Sequence, residues 1–491
     1  MRLAWLIIAV FAARFLVIAV AYPQTDGDLA WQRWLGDQIL RTGAIPNSLG
    51  LETFSAPGAP WVAHEWLFSI GAALGRSGLG WYAFAGFSAF CAIAALALAA
   101  YRAQRFGASA PAVAIVTAAA GIALFDSFGV RVQVIAWPLV VLFLLCLESE
   151  GAAMWLAPAV AAVWSNVHAS AALAPVLAGV ATVGALLDAR AVTPRVVKLG
   201  AISLASLAAI CCNPLGYHLP AYAVMLVGSP ITHFIVEWRA TGLDDPGFTY
   251  GALPLLALII VVGVGAGAGR ASGSRPRWEE ILIVAAFFWL MLGAARNIAI
   301  FALVAAPLVA RGLTQSIEFL APEPPRETPL TRRQRFAAAG LPVFALALSL
   351  AVAVVLLRAQ DRTQVGLAAP ALAALERVPG TQRVLCADFA WCGLLVGNPH
   401  DRVFLDGRAD PYPNKVWDDF LEIAKVGPGW RRELDAYEVD AVVVNRDGPL
   451  DQALLDARGW RAAFADKQYR LWLRARKPGR LAIGRKTTNA G

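Results

Sequence analysis

Charged side chains are scarce in this 491-residue chain. Asp, Glu, Lys and Arg make up 15% of its residues and 58% are hydrophobic, whereas an average soluble domain carries about 25% charged residues. The mean hydropathy is +0.58, and the apolar residues gather into runs of the roughly 17–25 residues that a bilayer-crossing helix needs. A soluble protein of this size would show amphipathic patterning instead. The composition therefore indicates a membrane protein.

Other common signals are also missing. The six cysteines show no zinc-site spacing. Four lie in apolar runs, whereas Cys386 and Cys392 lie in a polar C-terminal part, where an oxidising periplasm allows a disulfide between them. No small-x-small cleavage site follows the first apolar run, 3–21, which carries Arg14. We therefore expect that run to be a retained helix and not a signal peptide.

The apolar runs predict a mainly α, polytopic transmembrane bundle of about eleven spans. Two further apolar segments, 66–78 and 217–228, are short and are expected to be interfacial or re-entrant helices. The predicted spans lie near 3–21, 81–101, 110–126, 132–147, 152–166, 170–187, 198–212, 251–269, 279–294, 297–313 and 340–357.

Basic residues in the loops predict the orientation. With a cytoplasmic N-terminus, Lys and Arg cluster in the inside loops, and the outside loops hold scattered single arginines. The net charge of +8 therefore reports topology and does not indicate nucleic-acid binding. We expect a multi-pass protein of the bacterial inner membrane, in contact with lipid, whose last span delivers the C-terminal part to the periplasm.

The C-terminal part has a different composition, in which charged residues are frequent. Short β-rich runs such as Arg383–Cys386 and Asp440–Val444 alternate there with helical stretches, which is typical of a small α/β domain. The predicted organisation is a transmembrane domain, 1–358, with a first outer loop at 22–65, then an extracytoplasmic α/β domain, 359–480, and a disordered tail, 481–491.

In this orientation the unusual polar residues fall on the outer side. Ionisable groups at membrane ends are costly unless paired or hydrated, so their recurrence there predicts a polar cavity. Each residue alone has a structural explanation, such as an arginine that snorkels to the interface, and it is their coincidence that indicates function. The set is Asp26, Asp28, His64, Glu65, Arg131, Gln133, Asn166, His168, Asn213, His218, Glu237, Arg239, Arg296 and Asn297.

The first outer loop is the richest segment. Asp26 and Asp28 precede an amphipathic helix predicted at Leu29–Arg41. Asp28 is the expected N-cap of that helix, which leaves Asp26 to face a cavity. The loop returns to the membrane with His64 and Glu65, which present an imidazole and an acid.

The loop sequence TDGDLAWQRWLGDQILRTGAIP and the many spans after it resemble the GT-C superfamily of membrane glycosyltransferases. That superfamily includes the protein O-mannosyltransferases, the lipid A aminoarabinose transferase and the RgtA/B/C/D-like bacterial enzymes. Together with APWVAHEWL, ARNI and FLDGRADPYP, the loop looks more like a bacterial group of GT-C-like membrane proteins, over most of the chain. The chain has DGD where the mannosyltransferases have a DE pair.

The resemblance implies a transferase of hexosyl type that moves a sugar from a polyprenyl-phosphate donor to an extracytoplasmic glycan, lipid or protein acceptor. A first-loop carboxylate, Asp26 or Asp28, would act as the base or hold a divalent cation such as Mg²⁺ or Mn²⁺. His64 and Glu65 are further catalytic candidates. No cofactor beyond this possible cation is expected.

The donor phosphate would need cationic partners. Arg131, Arg239 and Arg296 are the outer-side candidates, because a guanidinium group binds phosphate bidentately. The chain shows no Gly-rich phosphate loop and no nucleotide-sugar signature, which suits a lipid-linked donor.

Asp406, Arg408 and Asp410, in the C-terminal part, leave two alternatives open. They could bind sugar hydroxyls, or form a turn held by an internal Asp–Arg pair. Two other function classes are also open, a transporter or flippase of lipid-linked glycan and a non-catalytic assembly protein with a partner-binding outer domain. A transporter should show inverted repeats and broken helices at the bilayer midplane, and we find none in the sequence.

Overall fold

A computed structural model describes residues 2–22, 26–227, 235–259, 276–320 and 368–475. The chain divides into two units that each have many internal contacts. The helical unit comprises residues 1–24, 32–47 and 61–364. The sheet unit comprises residues 25–31, 48–60 and 365–491, so parts of the first outer loop group with the C-terminal part of the chain.

Thirteen helices precede the C-terminal part within the described residues. Short 3₁₀ turns at Gly151–Leu156, Ala169–Ala172 and Ala295–Asn297 connect some of them. The helices are α1 (Arg2–Ala21), α2 (Gly27–Thr42), α3 (Trp66–Leu74), α4 (Gly78–Arg105), α5 (Ala110–Asp126), α6 (Val132–Leu147), α7 (Ala157–Val167), α8 (Leu173–Ala189), α9 (Pro194–Ala209), α10 (His218–Val227), α11 (Phe248–Ile259), α12 (Trp278–Gly293) and α13 (Ile298–Leu320).

Four helical segments are long and apolar enough to cross a membrane. They are Arg2–Ala21, Gly78–Arg105, Ala169–Ala189 and Ala295–Glu318. The other predicted runs that fall on described residues also coincide with helices, which are shorter. The chain is therefore a multi-pass helical membrane protein, as predicted. The total of about eleven spans stays a prediction, and the run at 340–357 lies outside the described residues.

Helix α13 is buried in the helical unit. Every side chain from Ile298 to Ala306 is buried, as expected for a helix that is apolar on all faces. Local signals define the ends of other helices. Thr193, for example, accepts a hydrogen bond from the backbone N–H of Val196 at 3.3 Å, and Pro194 occupies the first turn of α9.

Arginines that the sequence assigns to inside loops also tie helix ends together. Arg195 at the start of α9 donates to both carboxylate oxygens of Glu279 in α12, at 2.8 and 2.7 Å. Similar pairs join Arg102 to Glu148 and Arg311 to Glu280. Because these groups are largely buried, removal of one partner would leave a buried charge. These arginines therefore stabilise the bundle as well as indicating topology.

The sheet unit contains a five-stranded sheet in the order β2-β1-β3-β5-β4. Strand β1 pairs in parallel with β2 and with β3. Strand β5 pairs in antiparallel fashion with β3 on one side and with β4 on the other. The strands are β1 (Gln382–Cys386), β2 (Asp401–Val403), β3 (Ala441–Asn445), β4 (Trp460–Ala465) and β5 (Tyr469–Arg474), and the helices are Ala369–Leu375, Asn414–Ala424, Trp430–Ala436 and Pro449–Leu455.

This sheet confirms the small C-terminal α/β fold predicted from the sequence. The four apolar residues of β3 are buried because the strand lies in the middle of the sheet. Cys386 and Cys392 are joined by the disulfide that the sequence allowed. The predicted domain boundary at 358 and the tail 481–491 lie outside the described residues.

Candidate functional site

The three arginines predicted to hold a donor phosphate line one cleft of the helical unit, with a volume of about 280 Å³. Arg131 immediately precedes α6, Arg239 follows a short 3₁₀ turn, and Arg296 lies in the connection between α12 and α13. Gln133 and Glu237, from the same predicted set, also line the cleft. The fold thus brings together residues from three separate segments of the chain.

Two of these arginines already have carboxylate partners. Arg131 donates to Glu237, and its Nε also donates to the hydroxyl of Tyr22 at 3.1 Å. Arg239 pairs with Asp244 at 2.9 Å and with Asp245. Their positive charges are therefore largely compensated within the cleft.

Arg296 is different. Within the described residues it has no carboxylate partner, and its guanidinium carbon lies 4.7 Å from the ring centroid of Trp238, a cation–π contact. The backbone N–H of Ala295 donates to the carbonyl of Arg239 at 3.0 Å, which holds this turn against the neighbouring segment. Arg296 is therefore the cleft cation whose charge is best placed for an anionic ligand.

A second cluster of the helical unit contains His64, Glu65 and His168. One side-chain N or O atom from each lies within 4.8 Å of the others. Glu65 Oε1 lies 3.5 Å from His64 Nε2 and Glu65 also accepts a hydrogen bond from Gln32. The His64 ring stacks on Tyr222 at 4.9 Å. Burial acts to raise the pKa of Glu65, but His64 and the other polar neighbours hold it below its usual value, so this carboxyl is ionised.

The hydrogen bonds of His168 assign its tautomer. The indole N–H of Trp164 donates to Ser170 Oγ at 3.0 Å, and that hydroxyl lies 2.7 Å from His168 Nδ1. The backbone N–H of Ser170 also donates to Nδ1, at 3.1 Å. Nδ1 is therefore an acceptor, which places the proton of the neutral ring on Nε2.

His168 is uncharged at physiological pH. Burial, together with the Coulombic effect of the neighbouring His64 and Arg296, lowers the pKa of His168 to about 3. The ring therefore presents a neutral N–H donor at Nε2. Because the Arg296 charge contributes to the lowered pKa of His168, the histidine cluster and the arginine cleft are electrostatic neighbours within the helical unit.

The cluster fits a metal ion only in part. His64 Nδ1 lies 3.3 Å from the carbonyl of Val62, an arrangement that orients the ring and leaves Nε2 as a ligand atom. The distance from His64 Nε2 to Glu65 Oε1 is 3.5 Å. Two ligand atoms of a tetrahedral ion with bonds of about 2.1 Å lie roughly 3.4 Å apart, so these two atoms are spaced as ligands would be. His168 does not fit, because its Nε2 carries the proton. The three side chains therefore offer two metal ligands, and no chemical step is assigned to a metal here.

The remaining predicted residues of the helical unit have structural roles or lie elsewhere. Asn166 donates to the carbonyls of Ala162 and Cys212, at 2.8 and 2.9 Å. Asn297 donates to the carbonyl of Leu290 at 2.9 Å. The exposed His218 packs against Tyr217. None of these three residues is among the described residues that line the arginine cleft.

In the sheet unit, the roles of the two first-loop carboxylates differ from the expectation. Helix α2 begins at Gly27, two residues before the predicted start, and Asp26 caps it by accepting a hydrogen bond from the N–H of Leu29 at 2.9 Å. The prediction that Asp28 is the cap was therefore wrong. Asp28 lies in the first turn, where its Oδ1 accepts from the indole of Trp31 at 3.3 Å.

Asp406 and Arg408 form a fully buried ion pair, at 2.7 Å between Arg408 Nη2 and Asp406 Oδ2. Tyr412 donates to the same carboxylate at 2.6 Å. Burial acts to raise the pKa of Asp406, but the Arg408 guanidinium holds it below its usual value. Sugar hydroxyls do not reach side chains with no exposed surface, so the internal pair is the alternative that these contacts support. Asp410 is half-buried in the same turn.

Some functional neighbours were missed from the sequence. Glu52 forms an ion pair with Arg408 at 2.7 Å, and Trp238, Tyr222 and Gln32 contact the cleft or the histidine cluster. Glu52 had one available signal, since it is the only acid in the Pro- and Gly-rich stretch 43–60. The aromatic residues had none, because apolar and aromatic side chains are abundant throughout the chain.

The chain is similar in structure to the oligosaccharyltransferase AglB of the archaeon Archaeoglobus fulgidus, solved with an inhibitory peptide and a dolichol-phosphate. The TM-score is 0.55 at 12% identity, over 90% of this chain and 69% of that one. The apo form of the enzyme gives a TM-score of 0.53 at 12% identity, over 91% and 69% of the two chains. The form tethered to an acceptor peptide with the NVT sequon gives 0.52 at 12% identity, over 90% and 69%.

No protein-family model matches the chain, and no curated protein matches it significantly. The structural likeness is one of fold. The many-helix fold predicted from the apolar runs is therefore shared with that enzyme.

Proposed function

We propose that the protein is a membrane glycosyltransferase that moves a sugar from a polyprenyl-phosphate donor to an extracytoplasmic glycan, lipid or protein acceptor. The observation that carries this proposal is the convergence of Arg131, Arg239 and Arg296 on one cleft. Dolichol-phosphate, present in a solved neighbour of the same fold, is a lipid phosphate of the same chemical class. The first-loop and FLDGRADPYP segments also resemble those of a bacterial group of GT-C-like membrane proteins, which supports the proposal.

In the proposed reaction the bond between the anomeric carbon and the phosphate oxygen breaks as the acceptor oxygen attacks. Negative charge then develops on the leaving lipid phosphate. The Arg296 guanidinium and the neutral Nε2–H of His168 would stabilise it, because preorganised donors aimed at developing charge lower the barrier.

The proton of the acceptor hydroxyl needs a base. The family resemblance places the catalytic carboxylate in the first outer loop. We assign the role to Asp28, because Asp26 caps the backbone of α2, whereas Asp28 lies inside the first turn and accepts from the indole of Trp31. The ionised Glu65, beside His64, is the second candidate for a base in the proposed reaction.

The assignment of Asp28 is tested in a strain that lacks the gene, complemented with single variants. Asp28→Asn is expected to abolish the surface glycan and to let the polyprenyl-phosphate sugar accumulate, since an amide cannot accept the proton. Asp26→Asn is the matched control, because Asn caps helices as well as Asp does, and it should retain the product. A wild-type glycan in the Asp28→Asn strain would contradict the catalytic role and favour a non-catalytic assembly protein.

We further propose that the N-terminus is cytoplasmic and that the sheet unit is periplasmic, as the loop charges indicate. Alkaline phosphatase fused after Leu357 is therefore expected to be active, and a fusion after Arg105 to be inactive. Alkaline phosphatase folds only in an oxidising compartment, so activity reports the side of the membrane. The reverse pattern would overturn the orientation.

A further inference from the structure

The sheet unit contains two pieces of the first outer loop, residues 25–31 and 48–60, together with the C-terminal residues. We infer that the C-terminal part of the chain positions the first-loop carboxylate Asp28, and that Arg408 is a positioning residue which holds the loop through Glu52. The anchoring stands on geometry alone, and its effect on transfer rests on the proposed function. Three independent sets of contacts within the sheet unit support the inference.

The first set extends the sheet. Thr53 pairs in parallel with Val403 at the end of β2, which is an edge strand. The N–H of Val403 donates to the carbonyl of Glu52 at 2.8 Å, and the N–H of Phe54 donates back to the carbonyl of Val403 at 3.1 Å. Unpaired edge strands commonly accept an added strand in this way. Glu52–Phe54 thus acts as a short sixth strand supplied by the loop.

The second set is a buried charge network. Arg408 has no exposed side-chain surface, and it bonds Asp406 on one side and Glu52 on the other, both at 2.7 Å. One cation thereby serves two carboxylates that lie more than 350 residues apart in sequence. Loss of the Glu52 charge would leave this contact without its Coulombic attraction, whereas Asp406 would still neutralise Arg408. Glu52 is therefore the member whose removal releases the loop and spares the turn.

The third set concerns the backbone next to Asp28. Gly407 lies directly against Asp28 Oδ1, so that a Cβ at Gly407 would overlap the carboxylate. Gly27 lies equally close to the carbonyl of Ala390, within the segment closed by the Cys386–Cys392 disulfide. Asp28 is therefore held between its own helix turn and the Gly407-Arg408 turn. The same turn that binds Glu52 thus contacts the proposed base.

The anchoring is measured by hydrogen exchange on the full-length protein in detergent. Glu52→Gln is expected to raise the exchange rate of residues 48–55 about tenfold or more, because the loop loses its buried ion pair. Asp435→Asn is the matched control, since it removes an exposed carboxylate of the same unit that pairs with Arg474 at 2.6 Å. It should leave exchange in the loop unchanged. Equal exchange in the wild type and in Glu52→Gln would overturn the anchoring.

The positioning effect is measured by the glycan in the complemented deletion strain. Glu52→Gln is expected to lower the product about tenfold or more, because small misplacement of a catalytic group costs that much. A second change, Thr53→Cys with Val403→Cys, should restore it, since bridge partners about 4.8 Å apart accept a disulfide. Rescue distinguishes positioning from a loss of folding.

The outcomes separate the two proposals. Faster exchange with an unchanged glycan in Glu52→Gln would overturn the positioning role, provided that Asp28→Asn abolishes the glycan. A wild-type glycan in Asp28→Asn would overturn the proposed function, and the exchange data would still decide the anchoring. A product lost in Glu52→Gln and not restored by the cross-link would overturn positioning in favour of a general defect.

Discussion

Replacement of Arg296 by Met is expected to lower glycan formation by about 100-fold or more, the usual cost of removing one donor to a developing oxyanion. Arg296 is the cleft arginine with no carboxylate partner within the described residues. The Met side chain carries no charge, so it keeps the contact with Trp238 only weakly. The measurement is the surface glycan in the complemented deletion strain, with the polyprenyl-phosphate sugars quantified beside it. The donor should accumulate as the product falls.

Two further variants sharpen this result. Arg296→Lys keeps the charge but cannot bind phosphate through two parallel N–H groups, so its product should lie between wild type and Arg296→Met. Arg76→Met removes an exposed arginine paired with Asp37 and should give a wild-type product. Wild-type glycan in Arg296→Met would contradict phosphate binding by this residue.

The second large effect is expected at His168. Replacement by Gln or by Asn places an amide nitrogen at the position of one or the other ring nitrogen. The amide nitrogen of Gln reaches the position of imidazole Nε2, whereas that of Asn reaches only the position of Nδ1. Since the proposed role requires the N–H at Nε2, His168→Gln should retain most of the product. His168→Asn should lower it by about 100-fold.

The same pair of variants tests a metal at this cluster. If His168 bound a metal ion through Nε2, both variants would lose activity, and metal bound to the purified protein would fall in both. If His168 is a neutral donor, metal content should be equal in wild type, His168→Gln and His168→Asn. The pKa of about 3 also implies that the ring does not titrate between pH 5 and 8. Equal loss of product in the two variants would contradict the donor role.

Much of the architecture followed from local patterns. Each predicted apolar run within the described residues became a helix, since a membrane helix satisfies all its backbone hydrogen bonds internally. The strands at 383–386 and 440–444 were recognisable for a similar reason, because buried strands read as short apolar runs. The sequence allowed a disulfide between Cys386 and Cys392 and left it open, and the structure contains it.

The errors and omissions arose where a local pattern allowed more than one arrangement or where a partner is distant in sequence. Either Asp26 or Asp28 satisfies the rules for a cap, and the start of α2 at Gly27 selects Asp26. The internal pair of Asp406 and Arg408 was one of two open alternatives until its burial was known. Glu52 stood out as the only acid of the stretch 43–60, but nothing in the sequence pointed to Arg408 as its partner, since the two are more than 350 residues apart.

Sequence alone determined that this protein is a multi-pass helical membrane protein with a small C-terminal α/β part, because hydrophobic length and period are properties of neighbouring residues. It also named the arginines of the proposed phosphate site. Tertiary structure decided that these arginines share one cleft, that Arg296 lacks a carboxylate partner among the described residues, and that His168 carries its proton on Nε2. Charge compensation and tautomer depend on which groups meet in space, and no local pattern contains that information.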